Sequence, residues 1–465
     1  MIAYYKKLLS LICISSAFVT TSCKQGSVVS DTPDYFGGEI INPNSKYVFL
    51  CKNNLVIDSI ELDKNNRFFK KYDTLTPGMY TFRHDPEYQY IYFDKGDSLM
   101  IRLNTQDFDN SLTFCGRGDE KNNFLIELFL KNEDVKNKSF DYYDQDFKTF
   151  SNFITKSYRA NNNYYISKKE EIDWDADFDL YAKNLVEMPY LAQKEMYPIV
   201  HKHRTSIDAC KDIPKNFYCF RKDIDFNNEK LMTYSPFLRY LTSMLNNITQ
   251  DCKLEHQDVL EGNIKKLKVA DSIFKNKKIK NAILNNIAFM YLLEDQNIKN
   301  NKSFLDQYLR LSSDKEKQKE IIKICKATQN LSTNMTLPEV ELIDSKDNPH
   351  SVKDIFKRKT VVFFWSSSAM SNFMSAHKKV EELKSKHTDW DFISINIDND
   401  SKKWKEIISK YKFNNIVELH ASNLNDIKDK WAIIKIHRTM LIDKDAKIIN
   451  GFVGLFDANF EKNLK

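Results

Sequence analysis

The chain has 465 residues, of which 42% are apolar and 29% charged, and its 70 basic and 64 acidic residues leave a net charge of +6. This length predicts two or three domains with cores of ordinary size. The basic residues are scattered rather than gathered into a long run, so the composition argues against a nucleic-acid-binding protein and favours charges on solvated faces.

The first 23 residues have the pattern of a bacterial export signal. Lys6 and Lys7 precede an apolar stretch over 8–19, which is shorter than the ~20 residues that a helix needs to span a bilayer. Ser22 and Cys23 follow and resemble the site at which lipoproteins are cleaved and acylated, although Thr20 stands where that motif usually has leucine. We therefore predict a lipoprotein signal peptide over 1–23 and lipidation of Cys23. Ordinary secretion with cleavage nearby is the alternative.

The predicted lipidation of Cys23 implies a location in the cell envelope. A chain acylated at Cys23 is held on a membrane of the cell envelope, on its periplasmic or surface side. No later segment reaches ~18 consecutive apolar residues, so no further membrane span is expected. Export permits disulfides, and the mature chain keeps six other cysteines whose pairing stays open: Cys51, Cys115, Cys210, Cys219, Cys252 and Cys325. Buried free thiols are the alternative for most of them.

Residues 24–34 read as a polar tether, and residues 35–118 have the texture of β-structure. Short apolar segments alternate with Asn, Asp, Gly and Pro turn signals, and the predicted strands cover 47–51, 55–62, 79–82, 88–93 and 98–103. Such spacing is typical of a small β-sandwich.

Residues 119–332 have a helical pattern. Apolar residues recur at intervals of three and four, and Gly262 is the only glycine between Gly118 and Gly451. We predict seven to nine helices here, without a regular repeat.

Residues 335–465 alternate between strand and helix. A near-continuous apolar strand over 361–365 precedes a helix over 373–386, and a second buried strand covers 392–398. Two further helices follow, over 404–411 and 424–431. Residues 439–443 and 447–450 form a predicted hairpin.

Three stretches of this last part resemble TlpA-type thioredoxin domains. Residues 337–344 (LPEVELID) are similar to the entry strand, residues 392–398 with Trp404 to the second core strand and its helix, and residues 436–444 (IHRTMLIDK) to the Ile-Pro-x-x-x-Leu-Ile-Asp-Lys segment. The whole layout resembles thiol–disulfide-type lipoproteins of Bacteroidetes, including the segments around Cys115 and Asn122–Phe124. The resemblance implies a multidomain α+β protein with an N-terminal β-sandwich, a central helical region and a C-terminal thioredoxin-like α/β domain.

The sequence departs from this family at its redox motif. Counted from Trp365, the two cysteine positions of the family fall on Ala369 and Asn372, and no cysteine follows Cys325. Thiol–disulfide exchange needs one thiolate that attacks and a second that resolves, and neighbouring serines cannot replace them. His437 stands where the family has its cis-proline. We therefore predict a redox-inert domain without catalytic residues or a cofactor.

The predicted role is that of a binding or assembly module for an envelope protein or peptide. The candidate binding groove comprises Trp365, Ser368, Ala369, Asn372 and His437. The alternative is a thiol–disulfide oxidoreductase that uses cysteines outside the motif, such as Cys210 and Cys219.

Metal and hydrolase sites are less favoured. His201 and His203 lack further ligands at suitable spacing, and we expect them on a solvated basic segment. The segment 223–227 starts like a calcium loop but lacks its later glycine and glutamate. A Ser368–His437 pairing with an acid has no sequence signature.

Overall fold

The computed structural model describes residues 32–53, 55–84, 87–250, 258–294, 298–367, 369–398, 400–413, 416–433, 438–457 and 459–464. The predicted signal peptide over 1–23 and residues 24–31 of the tether lie outside these ranges. No helix in the described ranges is both long enough and apolar enough to cross a lipid bilayer.

The N-terminal part consists of two four-stranded sheets packed face to face. The first has the order β4-β1-β7-β8 and the second the order β3-β2-β5-β6. The strands are β1 Asp34–Ile41, β2 Tyr47–Lys52, β3 Leu55–Glu61, β4 Arg67–Tyr72, β5 Gly78–His84, β6 Glu87–Phe93, β7 Ser98–Asn104 and β8 Thr113–Arg117, with a short helix α1 Phe108–Ser111 before β8. Alternating apolar residues such as Phe36, Leu50 and Leu99 point inward and form one core.

The central part contains eight α-helices within the described residues. They are α2 Asp119–Tyr142, α3 Phe147–Ile172, α4 Ala176–Thr205, α5 Ser235–Thr249, α6 Val259–Ile273, α7 Lys277–Glu294, α8 Ile298–Leu311 and α9 Lys315–Gln329. One large apolar cluster joins them, and Tyr92 of β6 belongs to it. The number of helices agrees with the sequence-based prediction.

Two asparagines of α2 connect the helices to the sandwich through hydrogen bonds to its edge strands. The Asn122 side chain accepts a hydrogen bond from the Tyr92 amide (2.7 Å) and donates one to the Tyr92 carbonyl (2.9 Å). Asn123 makes the same pair of bonds with Phe114, at 2.9 Å each. Because β6 and β8 are edge strands, the side-chain amides take the place of a further strand and satisfy backbone groups that would otherwise be buried without partners.

The C-terminal part is an α/β domain around a seven-stranded sheet. Its order is β10-β9-β13-β12-β11-β14-β15, with β11, β12 and β13 parallel and the other neighbouring pairs antiparallel. The strands are β9 Leu342–Ile343, β10 Pro349–His350, β11 Lys359–Trp365, β12 Trp390–Asn396, β13 Val417–Ala421, β14 Arg438–Ile442 and β15 Ile448–Gly454. The helices are α10 Val352–Ile355, α11 Met370–Lys386, α12 Ser401–Lys410 and α13 Leu424–Trp431.

The central strand β11 is buried on both faces, as its apolar run predicts. Val361 and Phe363 pack in the cluster beneath α11, whereas Val362 and Phe364 pack in the opposite cluster with α13. The predicted strands, helices and hairpin occur in the predicted order, and β13, which was not predicted, lies between the last two helices. The chain therefore has the predicted α+β fold class, with a thioredoxin-like C-terminal domain.

The C-terminal domain touches both other parts of the chain. Lys403 of α12 donates a hydrogen bond to the Asn44 carbonyl in the β1–β2 connection (2.5 Å). Lys323 of α9 and Asp429 of α13 form an ion pair at 2.6 Å. The first contact is partly buried and the second is exposed.

Candidate functional site

The candidate site lies where β11 ends and α11 begins. Trp365 is the last residue of β11, and Met370 is the first residue of α11. The carboxyl ends of the parallel strands β12 and β13 lie at the same edge of the sheet. Ligands of open α/β sheets bind at such edges.

A carboxylate holds the turn that follows Trp365. Asp398, just after β12, accepts hydrogen bonds from the Ser366 hydroxyl and from the Ser367 amide, the latter at 2.7 Å. The Asn396 side-chain amide donates a third bond to it, at 2.9 Å. The Ala369 amide donates to the Ser366 carbonyl at 3.0 Å and closes the turn. This turn is therefore organised by hydrogen bonds to a single carboxylate.

The network continues from Asn396 to β13. The Asn396 side-chain oxygen accepts from the Asp398 amide (3.1 Å) and from Nδ1 of His420 (2.9 Å). Because an amide oxygen only accepts, the Nδ1 of His420 carries the proton. The ring stacks on Trp404 with centroids 5.1 Å apart, and burial lowers the pKa of His420. His420 is thus a neutral, structural imidazole at pH 7.

The structure places Trp365 inside the domain. Its side chain is 0% exposed and packs against Phe373 and Trp404. The indole N–H groups of Trp365 and Trp404 are buried and have no acceptor among the described residues. Trp365 therefore belongs to the core next to the turn, whereas the sequence-based hypothesis placed it at the edge of a groove. The wrong placement has a physical reason: Trp365 continues the face of Val361 and Phe363, which α11 covers.

The other groove candidates are only partly described. Ala369 precedes the first turn of α11 and Asn372 lies in that turn, both half-buried. Ser368 and His437 lie outside the described residues, so the grouping of these residues with Ala369 and Asn372 stays a prediction. Met374, one turn further along α11, is 41% exposed.

A buried polar cluster lies beneath α11 and escaped the sequence analysis. Nδ1 of His377 donates to the Phe373 carbonyl (2.8 Å), and its Nε2 lies 2.9 Å from a Glu418 oxygen and 3.3 Å from the Ser394 hydroxyl. His377 and Ser394 are fully buried. Serine and carboxylate face the same ring nitrogen, whereas a catalytic triad uses both nitrogens. The cluster is therefore structural, and Ser394 within an apolar strand was its only sequence signal.

The cysteines do not form the pair that the alternative hypothesis names. Cys210 is disulfide-bonded, whereas Cys219 is an exposed free thiol. Cys210 and Cys219 are therefore not bonded to one another. Cys325 is a buried thiol of the helical core, and burial raises its pKa, which makes it a poor nucleophile.

Packing explains one histidine of the pair on α4, His201, whereas His203 is exposed. His201 is buried, and its Nδ1 donates to the Tyr143 carbonyl at 2.8 Å. The expected solvated position is therefore wrong for His201, because the end of α4 packs against the end of α2. Within the described ranges, no group of three or more His, Cys, Asp or Glu residues is placed to hold a metal ion.

Comparisons with known proteins concern the C-terminal domain. Residues 357–448 match the family model described as thioredoxin-like. The thioredoxin domain of a thiol-disulfide oxidoreductase from Bacteroides vulgatus is similar, with 22% identity over 29% of this chain and 99% of that one and a TM-score of 0.25. A thiol:disulfide interchange protein from a Bacteroides species shows 25% identity over 26% of this chain and 81% of that one, with a TM-score of 0.22. No curated protein matches the chain.

The family match and the sheet topology agree. Strands β11, β12, β14 and β15 and helix α11 all lie within or overlap the matched residues. The C-terminal domain is thus thioredoxin-like, and the site at the end of β11 occupies the position at which the motif was expected.

Proposed function

We propose that this chain is a redox-inert, TlpA-type lipoprotein of the cell envelope that binds a protein or peptide partner through its C-terminal domain. The observation that carries this proposal is the turn after β11. It contains no cysteine in its sequence, and Asp398 fixes Ser366 and Ser367 where a redox site would need two thiols. A turn held in this way offers shape and polar groups for recognition, and no group for sulfur exchange.

The anchor forms the second half of the proposal. The n-region, the apolar stretch and Cys23 support acylation at that residue and attachment to a membrane of the envelope. The mature chain would then carry its thioredoxin-like domain on a sandwich and a helical region.

Binding is tested by cross-linking pull-down from the native envelope. Ala369→Arg with Met374→Arg adds bulk and charge at the start of α11, where the groove is proposed. Ser385→Arg is the matched control, because this exposed residue lies on the same helix about 15 residues, or ~20 Å, further along. We expect a partner that wild type and control capture and the double variant loses.

The other outcomes are equally informative. A partner that all three proteins capture would move the binding site to the sandwich or the helices. No partner with any of them would contradict the binding role. Circular dichroism must first show that the variants fold as wild type does.

Redox inertness is tested by insulin reduction with dithiothreitol as electron source. Wild type is expected to stay at the uncatalysed rate. Ala369→Cys with Asn372→Cys places two thiols at the start of α11, where the helix dipole favours a thiolate, and serves as the gain-of-function comparison. Catalysis by wild type that disappears in Cys210→Ser would instead support the oxidoreductase alternative.

A further inference from the structure

The β2–β3 hairpin exposes three consecutive apolar side chains. Leu55, Val56 and Ile57 are 71%, 49% and 47% exposed. Neighbouring residues of a strand point to opposite faces, so both faces of this end of β3 are uncovered. β3 is also the edge strand of its sheet, and within the described residues it pairs only with β2.

Hydrogen bonds show at which end of the sandwich the tip lies. Lys52, the last residue of β2, donates from its amine to the Thr76 carbonyl at 3.0 Å. The neighbouring Leu75 amide donates to the side chain of Asp34, the first residue of β1, at 3.2 Å. The apolar tip therefore lies at the end where the N-terminal segment enters the fold.

The length of that segment limits the distance to the proposed anchor. Eight residues lie between Cys23 and Thr32, and the nine Cα–Cα steps from one to the other reach about 30 Å when the chain is extended. This step rests on the proposed function, because it takes Cys23 to be acylated. A lipid at Cys23 then keeps this end of the sandwich within about 30 Å of the membrane surface.

The C-terminal domain lies at the opposite end. Strand β2 runs from the β1–β2 connection, where Lys403 contacts Asn44, to the hairpin tip. Its six residues span about 20 Å. With the tip toward the membrane, the contact with the thioredoxin-like domain is directed away from it.

The charges near the tip favour apolar insertion over attraction to anionic headgroups. Lys70 pairs with Asp58 at 3.3 Å, and Lys71 pairs with Asp73 at 2.8 Å. The amine of Lys52 is half-buried, and desolvation lowers its pKa. Two of these three lysines are thus paired with carboxylates and the third is partly desolvated, so they offer little free charge to anionic lipid.

We propose that Leu55, Val56 and Ile57 insert into the interfacial layer of the membrane that carries the lipid anchor. Apolar side chains gain free energy when they leave water for this layer. The hairpin would then be a second, non-covalent contact that fixes the orientation of the sandwich on the membrane.

Photo-cross-linking tests this contact. A photoreactive p-benzoylphenylalanine replaces Leu55 in the full chain, expressed in its own envelope. The matched control replaces Phe140, which is 61% exposed and lies some 20 residues, or about 30 Å, along α2 from the sandwich. We expect at least ten times more lipid adduct at position 55 than at position 140. Equal yields, or an adduct of position 55 with a second copy or another protein, would overturn the proposal.

A second experiment tests the contact between the hairpin and the membrane without the lipid anchor at Cys23. Residues 24–465 with an N-terminal hexahistidine tag are held on phosphatidylcholine vesicles by nickel-chelating lipid, which replaces acylation. The lipid adduct at position 55 should persist there, and Ile57→Asp should reduce it at least five-fold. Its absence on these vesicles would refute the hairpin contact whatever happens at Cys23. Cell fractionation of Cys23→Ser tests the anchor by itself.

Discussion

Replacing Asp398 by alanine tests the proposed organisation of the turn after β11. The carboxylate accepts three hydrogen bonds, from Ser366, Ser367 and Asn396. If each bond contributes about 1 kcal/mol net, Asp398→Ala should lower the free energy that keeps the turn closed by about 3 kcal/mol. Hydrogen bonds to charged groups can contribute more, but we use the lower value because Asp398 is half-buried and solvent weakens its bonds. Asp398→Asn keeps one acceptor oxygen and should cost about 1 kcal/mol.

Hydrogen exchange measured by mass spectrometry suits this prediction, because it reports the opening of the turn separately from the unfolding of the other parts of the chain. A loss of 3 kcal/mol increases the population of the open turn roughly 100-fold, so the amides of residues 366–373 should exchange about 100 times faster. The control is Asp391→Ala, which breaks the exposed ion pair with Arg358 and should change exchange less than five-fold. Unchanged exchange in Asp398→Ala would refute the role of this carboxylate.

Three further predictions concern the other parts of the chain. Asn122→Ala should lower the free energy of unfolding of the sandwich by about 3 kcal/mol in urea denaturation, because it leaves two backbone groups of β6 buried without partners. Burial raises the pKa of Asp97 from 3.8 to about 7, so its contribution to the free energy of unfolding is greatest below pH 4 and is lost as the pH rises through 7. In Asp97→Asn the urea midpoint should therefore change less between pH 4 and pH 7 than it does in wild type. The same pH dependence in the variant and in wild type would contradict this. Glu195→Gln removes the charge of a fully buried carboxylate that pairs with half-buried Arg221, and it should cost about 3 kcal/mol in thermal unfolding. A melting temperature within 1 °C of wild type, against an expected fall of several degrees, would count against the pair.

The sequence predicted many elements of the fold because their signals are local, but the predicted strands left out β1, β4, β8 and β13. The apolar run at 361–365 and the turn residues around 444–446 each specify a strand or hairpin from neighbouring residues alone. The site depends instead on pairs that are distant in the chain. Ser366 and Asp398 are 32 residues apart, and their contact exists only because β11 and β12 are parallel neighbours.

Some missed features did have a signal. Trp365 shares the alternation of Val361 and Phe363, which indicates a side chain beneath α11 rather than at a rim. Ser394 interrupts an apolar strand, which is typical of a buried polar contact. The orientation of His377 toward Glu418 had no such signal, since α11 and β13 are joined only by tertiary packing.

The placement of the tryptophans has a practical consequence. Four of the five tryptophans of the chain are fully or almost fully buried in the C-terminal domain, and the fifth, Trp174, belongs to the helical core. These four are Trp365, Trp390, Trp404 and Trp431. Intrinsic emission therefore reports mainly on the thioredoxin-like domain, whereas far-ultraviolet ellipticity is dominated by the central helices. One unlabelled sample followed at both signals would show whether the domain that carries the proposed binding surface melts alone or together with the rest of the chain.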